Sequence, residues 1–255
     1  MIEKVQLEIC VDSLELALAA VRGGADRIEL CGPLRDGGVS PSAGLAAAAR
    51  KLIDRPIAML VRSHTDSFMA SQEDFEVMRQ DVLYARNIGM NLVVLGILRN
   101  DKTVDLERTR QLVELALPMQ VTFHRAFDVT PDLNDALAHV LETGATRILT
   151  SGGRSSAVLG APVVRKLIRA AAGRIGVMLC GSISESSVSE ALELSGALEV
   201  HAALRESICS QHSAGITPPE ILEHFSECVG RLKEKIRQHE VYQLRLSQAS
   251  KINSL

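Results

Sequence analysis

Eight short runs of β-branched and aliphatic residues recur along the 255 residues, with amphipathic stretches between them. The runs are VQLEIC (5–10), DRIELC (26–31), PIAMLVR (56–62), NLVVLGIL (91–98), QVTFHRAF (120–127), RILTSG (147–152), RIGVMLC (174–180) and LEVHAALR (198–205). SLELALAAVRGG, AGLAAAARKLI, DFEVMRQDVLYARNIGM and LERTRQLVELAL carry the helical period between them. Strands that alternate with helices pair in parallel, because each helix crosses back over the sheet. Eight such units over about 250 residues predict a single (β/α)8 barrel. A doubly wound open sheet is the rival, but its glycine fingerprint for dinucleotides is missing. The barrel is expected to fill residues 1–240, and residues 241–255, where the apolar period fades, are expected to form a C-terminal tail.

Punctuation agrees with this pattern. Ser71 with Asp74, and Thr217 followed by Pro218 and Glu220, predict helix starts. Asp12, with Glu15 three residues on, is expected to cap the first helix. Gly24, Gly89, Gly144 and Gly196 stand where helices should stop.

Composition narrows the function classes. A net charge of −3 gives no electrostatic basis for binding nucleic acid, and 3% aromatics without tryptophan give no base-stacking surface. No apolar run reaches the roughly 20 residues that span a bilayer, and MIEKVQLEIC shows no signal peptide. The five cysteines lack CxxC spacing and read as reduced thiols of a cytoplasmic protein.

Active sites of such barrels lie at the C-terminal ends of the strands. Side chains alternate between the two faces of a strand, so Glu8 shares a face with Cys10, and Glu29 with Cys31. The same parity sets Arg62, Thr122, His124, Met178, Cys180, Glu199, His201 and Arg205 opposite the apolar positions of their strands. A barrel filled only for stability would carry mainly Val, Ile and Leu there. Two readings follow. Glu8 and Glu29 form a structural ring neutralised by Arg62 and Arg205, or they join His124, Asp128 and His201 as acid–base or divalent-metal groups for a small anionic metabolite, with Arg62, Arg125 and Arg205 binding the anion. Histidines gathered at the catalytic end favour the second. The TSGG turn, Thr150, Ser151, Gly152 and Gly153, is a candidate cradle for an anion, although a plain left-handed turn fits it equally. A Schiff-base lysine, a Gly-x-Ser-x-Gly elbow and a Walker loop are all missing.

LEICVDSLELALAAVRGGADRIELC, VTFHRAFD and RILTSGG closely resemble the CutC family, named for copper homeostasis, over roughly residues 5–205. The resemblance implies a cytoplasmic, homo-oligomeric single barrel, with Cys10 and Cys31 as Cu(I) ligands. It also matches Glu8, Glu29, His124, Arg125, Asp128, Thr150, Ser151 and Gly152 to family motifs. The chain departs from the family in RSHTDSF (62–68), which retains Arg62, Asp66 and Phe68, and in LCGSI (179–183), which retains Gly181 and Ile183. Thiolates are soft ligands suited to Cu(I), and adjacent strands lie about 4.8 Å apart, close enough for two sulfurs to share an ion. Buried cysteine is also a common apolar filler, so the pair reads either way.

Overall fold

In the computed structural model, which describes residues 4–34, 37–204 and 218–252, each expected run yields one strand. They are β1 Gln6–Val11, β2 Arg27–Leu30, β3 Ile57–Leu60, β4 Leu92–Leu95, β5 Gln120–Phe123, β6 Arg147–Thr150, β7 Gly176–Leu179 and β8 Glu199–Ala202. All pair in parallel, and β8 returns to β1 to close the barrel. Closure removes both sheet edges, so each strand's backbone finds a neighbour on either side.

Helices α1 Leu14–Arg22, α2 Ala43–Leu52, α3 Gln72–Asn87, α4 Leu106–Ala116, α5 Leu133–Thr143, α6 Ala157–Ala171 and α7 Val188–Ser195 follow the first seven strands. Ser71 and Asp74 form the expected capping box at the start of α3. Asp12 does not cap α1. Ser13 does so, accepting from the Leu16 N–H, while the Asp12 carboxylate accepts from the Leu34 N–H at 2.9 Å. That bond ties the β1 exit to the loop after β2.

The last helix, α8, runs from Pro218 to Ile252 without a break at position 240. Thr217, expected before its start, lies outside the described residues, as does Arg205. Phe225, Val229, Leu232 and Ile236 recur at helical spacing and are buried, and α8 packs on α1 and α7. Each such side chain contributes about 1.5–3 kcal/mol by leaving water. At the lower rim, buried Lys233 of α8 donates to the Asp26 carboxylate, which also accepts from the Leu7 N–H.

Aliphatic side chains on the outward face of the strands meet the helices, as with Leu7, Ile9, Ile28 and Leu30, all fully buried. The inward face is different. Register aligns Glu8 with Arg27 and His201, and Cys10 with Glu29. Polar chemistry is therefore concentrated in the barrel interior.

Candidate functional site

Two storeys fill the interior. The lower is an ion network. Arg27 donates from Nε to Glu8 Oε2 and from Nη2 to Glu199 Oε2 at 2.7 Å. Arg147 Nε donates to the same Glu199 carboxylate at 2.7 and 2.9 Å. Two arginines thus balance two glutamates, and neither arginine was anticipated. Arg62 does not neutralise Glu8 or Glu29: its guanidinium donates to the carbonyls of Gly37, Gly38, Thr65 and Ser67 and lies against the Phe68 ring. The ring reading therefore holds for Glu8, but with Arg27 as its partner.

The upper storey begins where Glu8 Oε1 meets His201 Nδ1 at 2.7 Å. Burial alone would raise the Glu8 pKa, yet the Arg27 charge and the His201 bond hold it at about 2. Burial alone would depress His201, but the Glu29 charge and the Glu8 contact push it above its ordinary value. Glu29 Oε2 stands 3.6 Å from His201 Nδ1, within ion-pair range but too far for a hydrogen bond, and is buried without a hydrogen-bond partner. Burial, countered by the His201 charge and reinforced by Glu8, brings Glu29 to about 7.

Cys10 lies level with Glu29 and Cys31 two residues above it, with the two sulfurs 3.5 Å apart. The Cys10 thiol also contacts Glu29 Oε1 at 3.6 Å, and the Cys31 thiol donates to the Val11 carbonyl at 3.2 Å. The Cys31 hydrogen bond, burial and the Glu29 charge push the Cys10 thiol well above its usual range. Ligand atoms of Cys10, Glu29 and His201 all lie within 4.8 Å of one another.

His124 caps the short 3₁₀ turn Arg125–Val129, its Nδ1 accepting from the Ala126 N–H at 3.2 Å. Burial, and then the Arg62 charge, lower its pKa to about 3, so the ring is neutral. Gly96 on the neighbouring strand end makes room for it, since a Cβ there would come within 2.7 Å of Nδ1. That glycine was not singled out from the sequence, where it lies unmarked inside NLVVLGIL.

The TSGG turn is not an anion cradle. The Asp128 carboxylate accepts from the Ser151 and Gly153 N–H groups and from the Thr150 and Ser151 hydroxyls. The Gly152 N–H is taken by Thr150 Oγ1. The donors that would hold an anion are spent, and Asp128 is a latch joining β6 to the 3₁₀ turn. Arg125 belongs to the same latch, donating to Asp128 and Ser151, with half of its side chain exposed.

Cys10, Glu29, Arg62, His124, Arg125, Asp128 and His201 line one cavity of about 440 Å³ at the strand C-terminal ends. Leu34, Leu60, Phe68 and Leu149 supply its apolar walls. Glu8 and Cys31 stand just behind it, in contact with His201 and Cys10.

Comparison with known proteins places this arrangement. Residues 5–206 match the CutC family. The human copper homeostasis protein cutC homolog is 41% identical over 201 residues, covering 79% of this chain and 74% of the relative. A CutC family protein of Chromobacterium violaceum is 41% identical over 204 residues, covering 80% of this chain and 83% of the relative. The crystal structure of a CutC copper homeostasis protein from Streptococcus agalactiae superposes with a TM-score of 0.74 at 25% identity, covering 77% of this chain and 97% of that one. Matched from the first strand to the last, the chain belongs to the CutC family of copper homeostasis proteins.

Proposed function

We propose that this chain binds Cu(I) through Cys10 and Cys31 at the barrel mouth and serves copper homeostasis in the cytoplasm. The observation that carries this reading is the 3.5 Å separation of two soft sulfur donors on adjacent strands. The donor set fits the ion. Two thiolates suit a linear or bent Cu(I) site, and His201 or Glu29 stands ready as a third donor beside Cys10. Cys10, Cys31, Cys180 and Cys228 are all free thiols, in keeping with a reducing compartment. The human relative's name points the same way.

Binding requires both sulfurs to lose their protons, and the Cys10 thiol holds its proton tightly. Copper uptake therefore releases protons and strengthens as pH rises. Titration with Cu(I) under reducing conditions, against a competing chromophoric chelator, tests the proposal. Wild type and Cys228→Ala should each take up one ion, as should Cys209→Ala, whose site lies outside the described residues. Cys10→Ala combined with Cys31→Ala should take up none. Undiminished affinity in that double variant would sink the proposal.

A further inference from the structure

Six buried polar side-chain atoms among the described residues have no hydrogen-bond partner, and three of them belong to residues on the walls of the mouth cavity. These are Glu29 Oε2, Arg62 Nε and His124 Nε2. Leaving one such group unsatisfied costs about 1–3 kcal/mol. Three on one cavity mark a place where a molecule supplies the missing partners.

Their chemistry describes that molecule. His124 Nδ1 already accepts from the Ala126 N–H, so the proton of the neutral ring lies on Nε2, which is a donor. Arg62 Nε–H is a second donor. The Asp66 charge acts on its guanidinium but forms no ion pair with it, and its other nitrogens serve backbone carbonyls. Both donors flank the Phe68 ring, which stands 5.1 Å from the His124 ring and 4.7 Å from the guanidinium. Glu29 Oε2, 3.6 Å from His201 Nδ1 and without a hydrogen bond, offers an acceptor on the same cavity. Leu34, Leu60 and Leu149 supply apolar lining.

We propose that the mouth cavity binds a short hydroxycarboxylate, whose carboxylate accepts from Arg62 Nε–H and His124 Nε2–H, whose hydroxyl donates to Glu29 Oε2, and whose skeleton rests on the leucines. This site adjoins the proposed copper site and shares Glu29 with it, but the two groups that hold the carboxylate, Arg62 and His124, take no part in the metal reading. Arg62 Nε and His124 Nε2 are themselves buried, and Phe68, packed on both the His124 ring and the Arg62 guanidinium, has to yield for a carboxylate to reach them. The volume of about 440 Å³ suits a compact acid with a branched apolar tail.

Calorimetric titration of the copper-free whole chain with α-hydroxyisocaproate tests the proposal, with isocaproate and inorganic phosphate as comparisons. The hydroxy acid should saturate one site per chain at millimolar concentration or below. Isocaproate, which lacks the hydroxyl, should bind at least tenfold more weakly, and phosphate should not compete. His124→Ala and Arg62→Met should each weaken binding at least tenfold. Cys31→Ala, whose side chain stands behind the cavity wall, should leave it unchanged while removing Cu(I) uptake, which keeps the outcome distinct from that of copper binding. If His124→Ala fails to fold, Arg62→Met decides alone. The chain has no tryptophan, so Phe68→Trp supplies a single tryptophan, excited apart from the two tyrosines, whose emission should shift on binding. No saturable heat with α-hydroxyisocaproate, unchanged affinity in the folded Arg62→Met variant, equal binding of phosphate, or loss of binding in Cys31→Ala would each overturn the proposal.

Discussion

Glu8 and Glu29 stand on adjacent strands, both buried, and their surroundings drive them in opposite directions. Glu8 is held at about 2 by the Arg27 charge and the His201 bond despite its burial. Glu29, with one oxygen lacking a hydrogen bond, is raised to about 7 by burial and the Glu8 charge against the pull of His201. Removing the two charges should therefore have opposite effects. Glu8→Gln leaves Arg27 short of a partner and should cost about 3 kcal/mol in urea denaturation. Glu29→Gln removes a charge the fold disfavours and should stabilise at pH 8 by about 1–3 kcal/mol. A stability loss of several kcal/mol in Glu29→Gln would instead assign Glu29 to the ion network. Parity along the strands placed both acids, His124 and His201 inside the barrel, since alternation needs no knowledge of the fold. Depth was not legible. Arg27 shares the parity of Glu29 and Cys31, yet at the head of DRIELC it reads as an exposed strand-entry cation. Arg147 is disguised in the same way at the head of RILTSG. Only closure of the barrel brings these two cations under the acids.

Elements show where local pattern suffices and where close approach decides. Every strand was visible as an apolar run, and the α3 cap was visible as a residue pair. The length of α8 was not, because its buried stripe ends at Ile236 while Val241, Tyr242 and Leu244 are exposed. The α1–α8 contact depends on Gly23, where a Cβ would meet the Ser226 carbonyl oxygen at 2.5 Å and Val229 Cβ at 2.6 Å. Gly23 has an ordinary φ of −71°, so backbone strain is not the issue. A helix carbonyl cannot swing aside, so Gly23→Ala must push α8 off the barrel. The expected cost is about 1–3 kcal/mol, read as a lowered urea midpoint. Gly44 in α2 has nothing within 4 Å of its Cβ position. Gly44→Ala should raise stability by roughly 0.5–1 kcal/mol through helix propensity. Equal effects of the two substitutions would show that α8 does not depend on this contact. The TSGG turn teaches a related lesson. Its glycines suggest free N–H groups, but the latch residue Asp128 lies more than twenty residues earlier, in a different motif.

Across the whole molecule, the buried groups at the mouth set how stability varies with pH. His124, held at about 3 in the fold, contributes stability that is present above its unfolded value of about 6.5 and lost as pH falls towards 3. Glu8 acts in the same sense, losing its contribution between its ordinary value near 4.5 and about 2. Glu29 acts oppositely. Its raised pKa means the folded chain holds a proton that the unfolded chain has released, so stability falls as pH rises from 4.5 to about 7. His201, also raised, contributes stability that is lost as pH rises through its folded value. Between about 4.5 and 6.5 the Glu29 and His124 effects offset one another, while below 4.5 His124 and Glu8 act together. Urea denaturation across this range should therefore give a broad maximum between about pH 4.5 and 6.5. A steep fall should follow on the acid side and a gentler one towards pH 8. In Glu29→Gln the decline contributed by Glu29 should vanish while the acid limb remains; in His124→Gln the acid limb should flatten. A Glu29→Gln curve that still declines as wild type does between 4.5 and 7 would show that Glu29 shares the solvated behaviour of surface acids, and that the mouth is wetter than its closed walls imply.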